Sequence, residues 1–394
     1  MFDELQALPV DPLLGIITRF RADENPNKMD LGVGVYKDAE GVTSVLRAVK
    51  QAEAWVLENE STKDYVGQLG NLEYGERMAA LVFGEQLQQC APRLAHIQTP
   101  GGCGALRLLA ELVKRTPSAT VWVSDPTWIN HVPLLGGAGL ELKTYPYYDF
   151  EHGGLRFDDM CTALEVAKAG DVLLLHGCCH NPSGADLSPD QWRSIIEMCK
   201  EKQLTPLIDV AYQGLGDGLD DDAYGLRLAT QELPEVLVSV SCSKNFALYR
   251  ERVGSAFVVC KNANHKHAVA SHLAAVARGI YSMPPSHGAV VVNTILASDE
   301  LNSMWQDELA EMRTRLQHVR TTLTQALSDK LGHTRFQFIA RDKGLFSFLG
   351  ISEKQVAELA DTKSIYMAGS SRMNLAGFND GNIQYFVDAL SEVL

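Results

Sequence analysis

Short apolar runs and longer segments of helical periodicity alternate along the middle of this chain. Residues 120–124 (Thr-Val-Trp-Val-Ser), 171–177, 205–213 and 236–240 are rich in β-branched and aliphatic side chains, whereas 105–114 and 191–200 repeat apolar residues at helical spacing. This alternation over about 95–260 predicts a mainly parallel sheet with helices on both faces. Upstream, 13–20 and 45–60 read as helices, and 30–36 reads as a short strand whose two glycines mark close backbone approach. Residues 1–12, with Pro9 and Pro12, lack helical pattern and read as a tail or an arm on another subunit. Downstream, 278–288 reads as a turn before a helix at 289–297. A long helix over about 298–329, charged on one face, then leads to a smaller C-terminal unit with strands at 343–349 and around Arg372.

With 394 residues, 46% apolar and 21% charged, the chain is a folded globular protein with length enough for two domains. A net charge of −14 and the lack of any basic run argue against nucleic-acid binding. No apolar run approaches the roughly 18 residues of a membrane span, and Met-Phe-Asp-Glu-Leu-Gln at the start is not the pattern of a secretory leader. The eight scattered cysteines read as reduced thiols of a cytoplasmic protein. Adjacent Cys178 and Cys179 lack Cys-x-x-Cys spacing, and no His/Cys cluster has ligand spacing, so no metal is expected.

In such a sheet, ligands bind beyond the carboxyl ends of the strands, and the chemistry-bearing residues gather there. The run 236–240 delivers Ser241, Ser243 and Lys244, with Arg252 eight residues after the lysine. Two hydroxyls and a guanidinium can hold a phosphate, and a lysine beside them can form a Schiff base with an aldehyde. Pyridoxal 5′-phosphate is both aldehyde and phosphate ester. Ser-x-Ser-Lys alone describes equally well a lysine ending a strand beside an ordinary ion pair. The glycine-rich turn 98–107, which includes Gly102 and Cys103, opens a helix whose first amides favour an anion; it has neither a Walker lysine nor dinucleotide spacing. Trp128 and His131 follow the strand at 120–124, and Asn181 sits in an Asn-Pro-Ser-Gly turn after 171–177. Asp209 and Tyr212 close the run 205–213, where the carboxylate reads as a helix cap or as the partner of a cationic ring nitrogen. Singly, Gly34, Tyr65 and Arg372 read as a bulge, a loop aromatic and a surface ion pair.

Together these residues resemble one family, the class I aminotransferases of pyridoxal-phosphate fold type I, in the aspartate and aromatic amino-acid subgroup. The likeness runs from Asp11 to Gly377. It is carried by Gly-Val-Gly-Val-Tyr-Lys-Asp (32–38), Thr-Pro-Gly-Gly-Cys-Gly-Ala-Leu-Arg (99–107), His-Gly-Cys-Cys-His-Asn-Pro-Ser-Gly (176–184) and Asp-Val-Ala-Tyr-Gln-Gly (209–214). Ser-Lys-Asn-Phe-Ala-Leu-Tyr-Arg-Glu-Arg-Val-Gly (243–254) and Tyr-Ser-Met-Pro-Pro-Ser-His-Gly (281–288) complete it.

The resemblance implies an α/β fold: a mainly parallel central sheet between helices with a smaller α/β domain. The division it implies is an arm (1–12), a small domain (13–43 and 311–394) and a large coenzyme-binding domain (44–310). It also implies roles. Lys244 binds the coenzyme aldehyde and shuttles the proton, Asp209 pairs with the ring nitrogen and is supported by His131, and Asn181 and Tyr212 bond the ring's phenolic oxygen. Trp128 stacks on the ring. Gly102, Cys103, Ser241, Ser243 and Arg252 hold the phosphate, joined by Tyr65 of the other subunit of a homodimer with shared sites. Gly34, Trp128, Asn181 and Arg372 bind the substrate α-carboxylate, and Arg278 from the partner subunit meets a distal carboxylate. The peptide bonds before Pro126 and Pro182 are expected to be cis. The implied activity is ping-pong transamination through the pyridoxamine form, between an amino acid and 2-oxoglutarate.

Departures from the family pattern bear on the substrate. Cys103 stands where the family has threonine or serine, Ile129 replaces a proline, and Gly279, Ile280 and Met283 around Arg278 are less polar than in strict aspartate enzymes. Val35, Lys37 and Thr43 instead match the aspartate enzymes. The sequence therefore favours a dual enzyme, with aspartate ahead of tyrosine or phenylalanine. An aromatic-specific enzyme, a non-transaminating enzyme on the same fold and a coenzyme-binding regulator are the alternatives.

Overall fold

A computed structural model describes residues 1–7, 12–117 and 119–394. Of the expected N-terminal arm, 8–11 lie outside the described residues, 1–7 are exposed and irregular, and Pro12 already opens the helix Pro12–Ala22.

The central sheet has seven strands: β1 (Leu94–Pro100), β2 (Thr120–Asp125), β3 (Glu141–Pro146), β4 (Val172–His176), β5 (Thr205–Val210), β6 (Val236–Ser241) and β7 (Val253–Val259). Their spatial order is β1-β7-β6-β5-β4-β2-β3. Six run the same way. Only β7 is reversed, antiparallel to both β6 and β1. Strands buried on both faces read as largely apolar runs, as β6 and β7 do apart from Ser239, Ser241 and Ser255, every residue of them buried. The edge strand β3 instead carries Glu141 and Lys143 outward, which blunts the edge. Helices Leu72–Phe83 and Ala263–Ile280 pack on the opposite edge strand, β1. Separate apolar clusters fill the two faces of the sheet. Among the described residues, no helix is long and apolar enough to cross a membrane.

The helix Asp299–Leu331 ties the sheet to the rest of the chain. Ser298 caps it, accepting from the Leu301 amide. Trp305 donates from Nε1 to the Asn245 carbonyl at 2.8 Å and stacks on Phe246 with 4.4 Å between ring centroids, so it clamps the turn immediately after Lys244. Glu308 accepts from the Arg47 and Ala48 amides at 2.7 and 3.0 Å, a carboxylate at the positive end of the helix Arg47–Asn59. Further along, Arg315 reaches the Phe378 carbonyl and Lys330 pairs with Asp388, which fixes the C-terminal segments.

Two sequence expectations are corrected, and one helix was missed. Of the stretch 30–36 only Asp30 is strand, at the end of Met29–Asp30, which pairs with Ile365–Tyr366. Residues 32–36 have no ladder because side chains take their polar groups. Asn374 Nδ2 donates to the carbonyls of Val33 and Val35, Arg372 donates to Gly32, and the Tyr36 amide donates to Tyr249. Arg278 lies in the last turn of the helix Ala263–Ile280 rather than in a turn. The helix Leu72–Phe83, capped by Asn71, was not read from the sequence at all. The bonds Asp125–Pro126 and Asn181–Pro182 are cis, as expected.

Candidate active site

The parallel strands end on one rim, and a cavity opens there. Its lining includes Gly102, Cys103, Trp128, Asn181, Asp209, Tyr212, Ser241, Ser243, Lys244 and Arg252. At one end, Ser241 Oγ and Ser243 Oγ are 3.1 Å apart, and Arg252 Nη1 donates to Ser243 Oγ at 3.3 Å and to the Tyr249 carbonyl at 2.9 Å. The helix Gly101–Val113 starts against them, with no side chain capping its first amides. Glycine is needed at its start: a Cβ at Gly101, where φ is +72°, would stand 2.6 Å from Arg252 Nη2, and one at Gly102 would stand 3.2 Å from Ser241 Cβ. Unpaired amides, hydroxyls and a guanidinium on one wall form an anion cradle.

Lys244 projects into the same cavity, its Nζ 5.3 Å from the centre of the Tyr212 ring. Its ammonium has no hydrogen-bond or ion-pair partner among the described residues. Burial pulls its pKa below the ordinary value and the Arg252 charge acts the same way; Asp209 and Cys103 oppose them but do not cancel the shift. A lysine held this way has a reason to form a neutral bond to carbon.

Asp209 is buried on the floor, its Oδ2 3.2 Å from His131 Nε2. Burial alone would raise its pKa. The hydrogen bond from His131 first, together with the His131 ring and the Ser239 hydroxyl, outweighs burial and holds it below the usual carboxylate range. Behind it, Thr127 Oγ1 links His131 Nδ1 at 2.8 Å to His176 Nε2 at 3.3 Å, and His176 packs on His180 with 4.0 Å between rings. Burial, and then the neighbouring His131, push His176 down to about 3, so it stays neutral.

On the other side, Asn181 Nδ2 donates to Tyr212 Oη at 3.3 Å, and Arg372 Nη1 reaches Asn181 Oδ1 at 3.5 Å. Arg372 also donates to the Gly32 carbonyl and lies 4.4 Å over the Phe346 ring, yet its buried Nε has no partner. An orphaned N–H on a buried guanidinium is where a carboxylate would sit. The unpaired Lys244, the anion cradle, the buried Asp209 and this N–H fit a phosphorylated pyridine aldehyde together with a carboxylate substrate.

Residues 26–390 match the family model described as aminotransferase class I and II. The chain belongs to this family. It is 44% identical to the aromatic-amino-acid aminotransferase of Pseudomonas aeruginosa, over all of this chain and 98% of that one. It is also 44% identical to the aspartate aminotransferase of Escherichia coli over the whole of both. An aromatic-amino-acid aminotransferase from Burkholderia pseudomallei, solved covalently bound to pyridoxal phosphate, superposes with a TM-score of 0.97 at 38% identity, covering 100% of this chain and 99% of that one. The chain is thus a pyridoxal-phosphate-dependent aminotransferase with that family's α/β fold.

The aminotransferase brings most of the expected residues together. Ten line the cavity, His131 stands behind Asp209, and Arg372 and Gly34 meet at Phe346, whose Cζ a Gly34 Cβ would approach to 3.0 Å. Tyr65 and Arg278 do not join them within one chain. Tyr65 is 91% exposed, and Arg278 is exposed at a helix end, donating to Ser282 Oγ. Cys103 lines the cavity and its Sγ accepts from Asn130 Nδ2 at 3.7 Å. His176 was missed by the sequence reading although it lines the cavity. The signal was there: it ends β4 directly beside Asp209 in the parallel ladder.

Proposed function

We propose that this enzyme transfers the amino group of L-aspartate, and also of L-tyrosine and L-phenylalanine, to 2-oxoglutarate by a ping-pong cycle. The observation that carries this reading is the unpaired Lys244 ammonium in one cavity with Asp209 and the Ser241–Ser243–Arg252 cradle.

When bound, pyridoxal phosphate supplies an electron sink for the charge left as the α-proton departs. The chain's own residues do the rest. Ser241, Ser243, Arg252 and the amides at Gly102 and Cys103 hold the phosphate, and Trp128 covers the ring. Asp209, kept ionised and oriented by His131, holds a proton on the ring nitrogen, since an adjacent anion favours the charged form. Asn181 and Tyr212 bond the ring oxygen. Lys244, its pKa lowered, would take the proton from the substrate Cα as a general base. Arg372 grips the α-carboxylate with Asn181, beside Gly34 and Trp128. The order of preference follows the mixed surroundings of Arg278: the guanidinium suits a distal carboxylate, while Ile280 and Met283 suit an aromatic ring.

Tyr65 and Arg278 are assigned to the site of a second copy, in a homodimer with two shared sites. The small domain is assigned to 13–43 and 311–394, the large domain to 44–310 and the arm to 1–12. Eight unpaired thiols support a cytoplasmic location.

The experiment is single-turnover loss of the coenzyme's aldehyde absorbance on mixing with aspartate, glutamate, tyrosine, phenylalanine or tryptophan. Conversion by aspartate and by the aromatic acids, with release of the matching 2-oxo acids, is expected. Release of CO₂ or pyruvate without amino transfer would contradict the assignment.

A further inference from the structure

A second cavity, of about 270 Å³, lies behind the turn that joins β4 to Asn181. Its lining includes Cys178, Asp186, Asp217, Asp221, Asp222 and Lys343. Four carboxylates face a single ammonium, and that ammonium is already paired with Asp217. Such a lining favours a cation.

The sequence offers no metal spacing, but the fold supplies a third group. Cys178, Cys179 and Asp222 are all buried, and their two sulfurs and a carboxylate oxygen lie within 4.8 Å of one another. The two thiols contact each other and have no other hydrogen-bond partner among the described residues. Asp222 Oδ2 accepts from the Gly214 and Gly216 amides at 2.8 and 2.9 Å, and Oδ1 accepts from Asp217 at 2.8 Å. A carboxylate has about four acceptor positions, so one on Oδ1 stays free. Glycine keeps the intervening space open: a Cβ at Gly216 would stand 2.5 Å from Asp222 Oδ1 and 3.1 Å from Cys179 Sγ.

We propose that Cys178, Cys179 and Asp222 bind a thiophilic divalent cation of the zinc or cadmium type, with a fourth position open to the cavity. Two sulfurs and one oxygen on a four-coordinate ion suit the borderline-soft metals and not magnesium or calcium. Binding breaks two S–H bonds, forms two metal–sulfur bonds and releases two protons to solvent, so affinity rises with pH. A thiol has an ordinary pKa of about 8.5, so both protons are present to be displaced at neutral pH.

The test titrates reduced, metal-free holoenzyme with Cd²⁺ and follows the ultraviolet thiolate-to-cadmium band and the protons released. One ion and two protons per chain are expected. Binding should be at least tenfold weaker in Cys178→Ser and Cys179→Ser and unchanged in Cys161→Ser, each variant checked for folding by its retained coenzyme absorption. An equal band in either serine variant, or no saturable band in the parent, would overturn the site. Cadmium NMR of the unmutated enzyme gives an answer free of folding effects: a shift characteristic of two sulfurs supports the site, and one characteristic of oxygen and nitrogen alone refutes it.

Discussion

Asp209 Oδ2 and His131 Nε2 stand 3.2 Å apart in a pocket closed to solvent on every side but the cavity. The contact helps hold the pKa of a buried carboxylate below its ordinary value, against burial, which alone would raise it. Replacing Asp209 with Asn removes the anion and keeps the shape. Turnover should fall by roughly 10²–10³-fold or more, the scale of losing a preorganised electrostatic partner. His131→Asn should cost less and act in the same direction. The pH sign follows from the depressed pKa. The ionised form's contribution is complete above the ordinary value of 3.8 and is lost only as pH falls through the lower folded value. The stability difference between parent and Asp209→Asn, measured by urea unfolding, should therefore stay level from pH 8 down to about the ordinary value of 3.8 and shrink as pH falls from there through the folded value.

Arg372 carries a buried guanidinium N–H that lacks a partner, next to Asn181 of the cavity lining. Arg372→Lys keeps charge but cannot form two parallel bonds. Steady-state kinetics should show kcat/KM for every amino donor down by about 10²-fold, within the roughly 2–5 kcal/mol of a broken buried charge pair. A loss confined to dicarboxylic donors would reassign Arg372 to the distal end.

Cys103 lines the cavity with Ser241, Ser243 and Arg252, and on the proposed assignment it offers the phosphate a thiol, a weak donor. Cys103→Thr restores a hydroxyl and should slow coenzyme loss by about 2–10-fold, the worth of one ordinary hydrogen bond of roughly 0.5–1.5 kcal/mol. Dialysis against phosphate, followed by residual absorbance, reads this directly. Faster loss would mean the thiol packs better than a hydroxyl bonds.

Tyr65 and Arg278 are solvent-facing in one chain, which makes a shared site testable by mixing. Lys244→Ala and Arg278→Ala are each expected to be nearly inactive on aspartate. After unfolding and refolding together, half the dimers are hybrids, each with one intact site, so aspartate activity should return to roughly one quarter of the parent. Failure to regain activity, with hybrids verified by mass, would place Arg278 outside the site.

What the sequence made legible was local. Lys244, Asp209, Asn181 and Trp128 each follow an apolar run, and a parallel sheet brings such ends to one rim whatever the details between them. What stayed hidden depends on contacts distant in sequence. The reversal of β7 leaves no mark on its residues. The stretch 32–36 looked like a strand until Asn374 and Arg372, some 340 positions away, took its carbonyls. The helix Leu72–Phe83 holds Gly75 in its interior, which weakens its helical signal; a Cβ there would strike the His96 ring at 2.3 Å. Asp222 joins Cys178 and Cys179 across more than forty residues, so no spacing rule could have found that group.

The central claim is that the Lys244 amine is the group that binds the coenzyme aldehyde. Borohydride reduction of the holoenzyme, followed by peptide mapping, addresses it without relying on turnover. A single pyridoxyl label on Lys244, absent from Lys244→Ala, is predicted. A label on another lysine, or protein that stays colourless when supplied with the coenzyme, would contradict the account.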